Sequence, residues 1–306
     1  MYKLDHILVA LDLSDMDSFL IKYTNFIVEK FKPETVTFLH VLKSYDIPDE
    51  LMETLPEMET PLTEIIKEEI EENVHAHFNI DKSIKMNVIV DEGHDVETIV
   101  QYTKKLKIDL TLMGKKIGYK GEGSVTQKVL SLTPSSVLLV SETTPHNIHH
   151  ILVRIDFSKY SDITVKMGLR LQELIGATIS FFYVSKLPLH YFPQHTRKTE
   201  KEIINHLDRI NTAEYRKYMK RLKLNPDDYE FTSALDKNYD EAHVIYNHTL
   251  STGADLILTG SGMKSGLSDI IPDSTSEKLA GADKNIPVLV VKDRNKSLGF
   301  LNKLFD

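Results

Sequence analysis

The chain has 306 residues, of which 41% are hydrophobic and 27% are charged, an ordinary globular composition whose length favours two domains of about 150 residues each. Its formal net charge of −8 argues against general nucleic-acid binding, and the lack of cysteine excludes disulfides, thiol nucleophiles and zinc–thiolate sites. No signal-peptide pattern or apolar run of about 18 residues is present, so we expect a cytoplasmic protein without membrane insertion.

The first half of the chain alternates short apolar strands with amphipathic helices. A continuous apolar run, typical of a parallel strand covered on both faces, lies at residues 7–11, and further strands are predicted at residues 36–42, 84–90 and 137–140. Helices are predicted at residues 15–31, along the series of apolar residues spaced by four from Leu62 to Phe78, and after Gly93. An apolar run after Asp109 and a glycine-rich loop complete a unit with five strands.

The second half repeats this unit, because Ile151-Leu152-Val153 matches Ile7-Leu8-Val9. Its strands are predicted from residue 151 and at residues 178–184, 229–234, 255–259 and 288–291, and its helices at residues 160–174, 198–222 and 240–250. Gly176 is predicted to end the first of these helices, as glycine commonly does at a helix C-terminus. We therefore predict a first domain at residues 1–143, a second at residues 147–294 with an inserted helix at residues 198–222, and a C-terminal tail at residues 295–306.

Strands that alternate with helices imply an α/β fold with parallel sheets. Ligands of such sheets lie at the carboxyl ends of the strands, where the strand order reverses. Asp12 and Gly114 follow or end strands of the first half, and Asp156 and Gly260 do so in the second. A strand, a glycine loop and a helix start also form the layout of a phosphate site, since free N–H groups and the helix dipole converge there.

The pattern resembles the universal stress protein family in its tandem, two-domain form. The residues that carry this resemblance are residues 7–12 with Ser14, Met113-Gly114, Gly123-Ser124-Val125, residues 151–156 with Ser158, residues 260–267, and Ser274. The resemblance implies two flavodoxin-like (adenine nucleotide alpha hydrolase-like, Rossmann-like) domains, each a five-stranded parallel sheet with helices on both faces. It also implies association through the last strands, here an intramolecular pseudo-dimer, and it leaves a further homodimer open.

Some members of this family bind ATP or AMP, and others bind no nucleotide. By resemblance, the contacts in the first domain would be Asp12, Val41, Gly114, Gly123, Ser124 and Val125. Asp109 matches Asp255 at an offset of 146 and Gly123 matches Asp273 at an offset of 150, so the first glycine loop is four residues shorter. The alternatives are that Asp12 only caps the helix after it and that the loop is merely solvated.

The second domain keeps Asp156, Gly260 and Ser274 as a degenerate form of the same site. Met263 and Asp273 occupy glycine positions of the family pattern, where a phosphate must approach the backbone. Arg154 lies two residues before Asp156, so a salt bridge between them would fill the adenine space. We therefore expect the second site to be closed to ATP.

These features predict a stress-response binding or signalling module without catalytic residues. One alternative is slow ATP hydrolysis at the first site. Another is a scaffold in which the helix at residues 198–222 covers a hydrophobic ligand or presents a groove to a protein. No metal site is predicted. The spacing of His146, His149 and His150 matches no known ligand pattern, and the best histidine candidates are His190 and His195, which flank a proline-bounded loop.

Overall fold

The computed structural model describes residues 4–43, 60–79, 83–115, 125–187, 199–260, 274–281 and 285–293. The chain forms two compact units, and it passes from the first to the second between His146 and Asn147. Unit 1 is built mainly from Lys3–His146, and unit 2 is Asn147–Lys292.

Unit 1 alternates strands and helices along its length. Its elements are β1 (His6–Leu11), α1 (Met16–Phe31), β2 (Thr35–Lys43), α2 (Leu62–His77), β3 (Lys85–Gly93), α3 (Asp95–Lys105), β4 (Leu110–Gly114), α4 (Val125–Leu132) and β5 (Ser136–Val140). All pairings are parallel, in the order β3-β2-β1-β4-β5. The order reverses between β1 and β4, which places the expected ligand crevice at the carboxyl ends of these two strands.

Unit 2 repeats this arrangement. Its elements are β6 (His150–Arg154), α5 (Ser161–Ile175), β7 (Thr178–Lys186), α6 (Glu200–Arg221), β8 (Glu230–Asp236), α7 (Glu241–Thr252), β9 (Leu256–Gly260), α8 (Ser274–Gly281) and β10 (Val288–Val291). The strands are parallel in the order β10-β9-β6-β7-β8, with the reversal between β6 and β9. The predicted fold class, two tandem α/β units with five-stranded parallel sheets, is confirmed. The predicted association through the last strands stays a prediction.

The central strands form the core of each unit. Ile7, Leu8 and Val9 of β1 are 0% exposed, and residues 151–153 of β6 are equally buried. Helices cover both faces of each sheet, so these strands have no polar face and read as continuous apolar runs. Gly176 ends α5 in the left-handed conformation, with φ of 73°, as its sequence position predicts.

One carboxylate in each unit fastens the amino ends of the first and fourth strands. Asp109 Oδ2 accepts the N–H groups of residues 5 and 6, both at 3.0 Å. Asp255 Oδ2 accepts those of residues 149 and 150, at 2.7 and 2.9 Å. The two units therefore share the same hydrogen-bond arrangement at the edge of the sheet opposite the ligand crevice.

The helix predicted at residues 198–222 spans Glu200–Arg221 and starts with a capping box between Thr199 and Glu202. Its second half packs on the sheet: Asn211 donates to Ser185, near the end of β7, at 2.8 Å. None of residues 200–210 is buried, and Ile204 and Ile210 are 38% and 46% exposed. The first half of α6 therefore extends past the carboxyl end of β7.

Candidate functional site

The loop after β1 carries Asp12, the residue that the family resemblance places near a ribose. The Asp12 side chain is exposed and accepts the hydroxyl of Ser14. The next residue, Leu13, has a φ of 58°, in the left-handed region that non-glycine residues seldom adopt. Asp15 precedes α1 and makes no side-chain cap bond, and the predicted alternative, a helix cap by Asp12, stays a prediction.

Asp17, in the first turn of α1, fixes the backbone of this loop by hydrogen bonds. Its carboxylate accepts the N–H of Asp12 at 3.0 Å and the N–H of Leu13 at 2.9 Å. Asp17 is only 4% exposed. Burial raises the pKa of its carboxyl group above the ordinary value and the charge of Asp12 adds to this, while the two N–H donors and the charge of His40 oppose it.

The corresponding loop of unit 2 is closed on itself. Asp156 accepts the N–H of Ser158 at 3.0 Å, the hydroxyl of Ser158 at 2.6 Å, and the hydroxyl of Ser161. Burial favours a raised pKa for Asp156, but these donors and the charge of Arg154 outweigh it and hold the pKa below its usual value. The carboxylate of Asp156 is therefore committed to its own loop.

The left-handed residue of each loop has a different environment. Phe157, with a φ of 60°, occupies in unit 2 the place of Leu13. Its ring lies 4.6 Å from the ring of Tyr183 and 5.8 Å from that of Tyr218, in the second half of α6. Leu13 is 44% exposed. Aromatic packing stabilises the strained loop of unit 2, whereas the leucine side chain at the matching position of unit 1 is largely exposed.

A buried ionic cluster occupies the carboxyl edge of unit 2. Glu241, the first residue of α7, accepts from Arg154 Nε at 2.9 Å and forms an ion pair with its terminal nitrogen at 2.7 Å. Its second oxygen lies 2.7 Å from Lys186 Nζ and accepts from the Thr275 hydroxyl at 3.2 Å. The side chains of Arg154 and Glu241 are 11% and 6% exposed. We call these four residues the Arg154 cluster.

Electrostatics within the Arg154 cluster favour its ionised form. Burial alone would raise the pKa of Glu241, but the charge of Arg154 and the ammonium of Lys186 outweigh it, and the pKa lies below the usual value. The salt bridge expected between Arg154 and Asp156 stays a prediction, since the structure shows only that the charge of Arg154 acts on Asp156, whereas Arg154 pairs directly with Glu241, 87 positions along the chain. The cluster joins β6, β7, α7 and α8 over the strand ends where an adenine ring is expected to lie.

Unit 1 has no counterpart of Arg154. The matched strand starts Ile7 and Ile151 place Ala10 at the position of Arg154. Ala10 is half-buried, and its register partners are Leu39 of β2 and Met113 of β4. The start of α3 supplies Asp95, also half-buried, where α7 supplies Glu241. The carboxyl edge of unit 1 therefore has a methyl group where unit 2 has a paired guanidinium group.

Both strand-end glycines are required by packing. A Cβ on Gly114 would lie 2.7 Å from Cγ of Met16, at the start of α1. A Cβ on Gly260 would lie 2.6 Å from Oγ1 of Thr164 in α5. The sequence analysis predicted that these glycines contribute to a phosphate-binding site. The crossing helix already accounts for each of them, so neither is by itself a sign of an anion.

The remaining predicted residues are only partly within the described residues. Val41 is 8% exposed near the end of β2, and Val125 is the half-buried first residue of α4. Ser274 is the first residue of α8, and its side chain lies outside the described residues. Four predicted site residues lie outside them altogether: Gly123, Ser124, Met263 and Asp273.

Asp17 and Glu241 are the acidic site residues that the sequence analysis missed, and it also missed Lys186 and Thr275, which contact Glu241. Both acidic residues lie in the first turn of a helix that follows a strand, a position where carboxylates usually interact only with the helix dipole. A comparison of the two repeats could have drawn attention to them, since Ser161 stands at the position that matches Asp17 and Asp95 at the position that matches Glu241. No group of three or more potential metal ligands is found in the part of the chain that the structure describes.

The sequence model of the universal stress protein family matches residues 3–141 and again residues 147–292. The chain belongs to the universal stress protein family. This universal stress protein matches no curated protein sequence. None of the helices in its described residues combines the length and the apolar character needed to cross a bilayer.

Solved structures of similar fold include two of nearly the same length. A universal stress protein from Archaeoglobus fulgidus DSM 4304 is 19% identical, with 95% of this chain and 97% of that chain covered and a TM-score of 0.62. A putative universal stress protein from Pseudomonas aeruginosa UCBPP-PA14 is 14% identical, with 99% and 98% covered and a TM-score of 0.63. At these identities the likeness concerns the fold alone.

Proposed function

We propose that this universal stress protein binds one adenine nucleotide, ATP or AMP, at the carboxyl edge of unit 1, and that unit 2 binds none. The observation that carries the proposal is the difference between Ala10 and the Arg154 cluster at matching positions. The family resemblance supplies the class of ligand, because some members bind ATP or AMP at this edge. In this role the chain is a binding or signalling module that does not turn its ligand over.

The residues of unit 1 fit a nucleoside. Asp12 presents an exposed carboxylate, a strong acceptor for ribose hydroxyl groups, at the crevice beside β1. Ala10 leaves the carboxyl end of β1 without a bulky side chain, and Val41 supplies an apolar surface near the end of β2. In unit 2 a nucleoside would have to displace Arg154 from Glu241, which would leave a buried carboxylate with fewer partners.

The test introduces the arginine of unit 2 into unit 1. Ala10→Arg would place a guanidinium group at the open strand end, with Asp95 as its available partner. We expect calorimetric nucleotide affinity to fall by more than about tenfold, which corresponds to about 1.4 kcal/mol. Ala76→Arg, the same change on the exposed face of α2, is the matched control and should bind as the wild type does.

Native mass spectrometry of the same proteins gives the stoichiometry. We expect one nucleotide per wild-type chain and none on Ala10→Arg. Two nucleotides per chain would contradict the assignment of unit 2, and full occupancy of a correctly folded Ala10→Arg would contradict that of unit 1. Circular dichroism melting curves of both variants establish that they are folded.

A second candidate function is a scaffold role for α6. The observation that favours it is the exposure of Ile204 and Ile210 in a helical segment that has no buried residue. Deletion of α6 would be a poor test, because Tyr215, Tyr218 and Met219 are buried in unit 2. The double variant Ile204→Lys/Ile210→Lys should instead abolish a partner complex while leaving unit 2 folded. An unchanged partner complex with this variant would contradict the role.

A further inference from the structure

The loop that carries Asp12 is held in an unfavourable backbone conformation. Leu13 has a φ of 58°, and a non-glycine residue in this region costs on the order of 1 kcal/mol or more. Its side chain is 44% exposed, so little buried apolar contact offsets this cost. The stabilisation must come from the backbone, where the Asp17 carboxylate accepts the N–H groups of both Asp12 and Leu13.

Ser161, the residue of unit 2 that matches Asp17, both accepts and donates hydrogen bonds. Ser161 lies five residues after Asp156, as Asp17 lies five residues after Asp12. The Ser161 oxygen accepts the N–H of Asp156 at 3.0 Å, and its hydroxyl donates to the Asp156 carboxylate. An ionised aspartate can perform the first of these functions but not the second, because it has no proton to donate.

This difference decides where the two ligand-loop carboxylates point. Ser161 donates to Asp156 within its own loop, where Oδ1 of Asp156 accepts three hydrogen bonds and the residue is half-buried. Asp17 carries the same charge as Asp12 and repels it, while holding the backbone of the loop in place. The side chain of Asp12 is exposed at the carboxyl edge. A buried carboxylate therefore directs a second carboxylate outward.

We infer that Asp17 is a positioning residue of the unit 1 site, which holds the Asp12 loop so that Asp12 accepts hydrogen bonds from the vicinal hydroxyl groups of a ribose. This inference rests on the proposed function and adds how the ribose of the bound nucleotide is recognised. Asp17 acts through Asp12 and does not itself touch the ligand.

Protonation of Asp17 should reverse its effect. A neutral Asp17 can donate to Asp12, as Ser161 donates to Asp156, and would draw Asp12 inward. The charged or titratable groups that act on Asp17 are Asp12 on the same loop and His40 on β2. Because burial raises the pKa of Asp17, this change should begin at a higher pH than for an exposed aspartate. Asp17→Asn carries a permanent donor, so at neutral pH it should imitate the wild type in acid.

The experiment compares AMP with 2′,3′-dideoxy-AMP by calorimetry on the full-length protein. We expect the wild type to prefer AMP by about tenfold or more, as for a hydrogen bond to a charged group. Asp17→Asn should lose most of this preference while retaining its affinity for the dideoxy ligand. Asp15→Asn is the matched control: Asp15 is exposed, lies in the same loop and makes no side-chain cap bond, so the preference should remain.

Amide hydrogen exchange provides the second measurement. The amides of Asp12 and Leu13 should exchange faster in Asp17→Asn than in the wild type or in Asp15→Asn. The wild-type preference for AMP should decline in mild acid, while that of Asp17→Asn should stay low and flat with pH.

Two results would overturn the inference. One is an equal loss of affinity for both ligands in Asp17→Asn, which is the mark of a merely structural role. The other is unchanged exchange at Asp12 and Leu13. If the wild type binds neither ligand, the proposed function fails and the sugar assignment fails with it, whereas the exchange measurement still decides whether Asp17 holds the loop.

Discussion

Oγ1 of Thr164 lies 2.6 Å from the position that a Cβ on Gly260 would occupy. The glycine that ends β9 is thus explained by the crossing of α5, and its counterpart Gly114 is explained in the same way by Met16 of α1. A glycine at a strand end in this fold therefore indicates close packing between helix and strand, and is not sufficient evidence of a phosphate site.

Gly260→Ala should be more destabilising than Gly114→Ala. Thr164 is β-branched and has few rotamers in a helix, whereas the unbranched Met16 side chain can move aside. We expect losses of about 2–3 kcal/mol and about 1 kcal/mol in urea unfolding. Thr164→Ala should rescue much of the first loss, since among the described residues Oγ1 of Thr164 has no hydrogen-bond partner. Additive effects in the double variant would show that the two positions do not interact.

Glu241→Gln should destabilise unit 2 by about 3 kcal/mol, because it removes the carboxylate charge that pairs with the nearly buried Arg154 guanidinium group. Lys186→Met is the control. Lys186 also pairs with Glu241, but its side chain is 55% exposed, so the loss of this second ion pair should cost less than about 1 kcal/mol. Chemical denaturation of both variants tests the comparison. Similar losses would mean that Arg154 is stabilised mainly by other groups.

The Arg154 cluster also predicts an acid dependence of stability. The pKa values of Glu241 and Asp156 are lowered in the folded protein, so the unfolded chain binds protons to these groups more readily. Their contribution is present above the unfolded pKa values and is lost as the pH falls through the folded ones. The stability difference between the wild type and Glu241→Gln should therefore shrink below about pH 5. A difference that is constant down to about pH 3 would contradict this.

Lys292 predicts a dependence of the opposite sign. It is 4% exposed after β10, and burial lowers the pKa of its ammonium group to about 7, against the charge of Glu277. Between this value and the ordinary one of 10.5, the unfolded chain holds a proton that the folded chain lacks, so stability rises with pH across that window. Lys292→Met should increase the unfolding free energy at pH 7 by more than about 1 kcal/mol and flatten this rise.

The exposed Lys278 of α8 supplies the control for this variant, and Lys278→Met should retain the wild-type profile. A Lys292→Met protein that is less stable than the wild type at pH 7 would show that the lysine is held by favourable contacts in its charged form.

The sequence predicts the architecture because its signals are local. Strand runs, helix spacing and the Gly176 stop depend on neighbours within a few residues, and the observed bounds lie within a few positions of the predicted ones. The partner of Arg154 was not predictable in this way, since Glu241 is 87 positions away and contacts Arg154 only because the fold places the start of α7 beside the end of β6. Asp17 was missed for a different reason: its partners are close in sequence, but its hydrogen bonds depend on the left-handed conformation of Leu13, which no pattern of residue types indicates.

Asp109 and Asp255 make the same pair of backbone hydrogen bonds at the amino edges of their sheets, while the opposite edges differ at Ala10 and Arg154. In the proposed function, the residues that fasten the strands and the residues that decide ligand binding therefore lie at opposite ends of each half. A duplicated chain built in this way can lose a binding activity in one copy and still fold both.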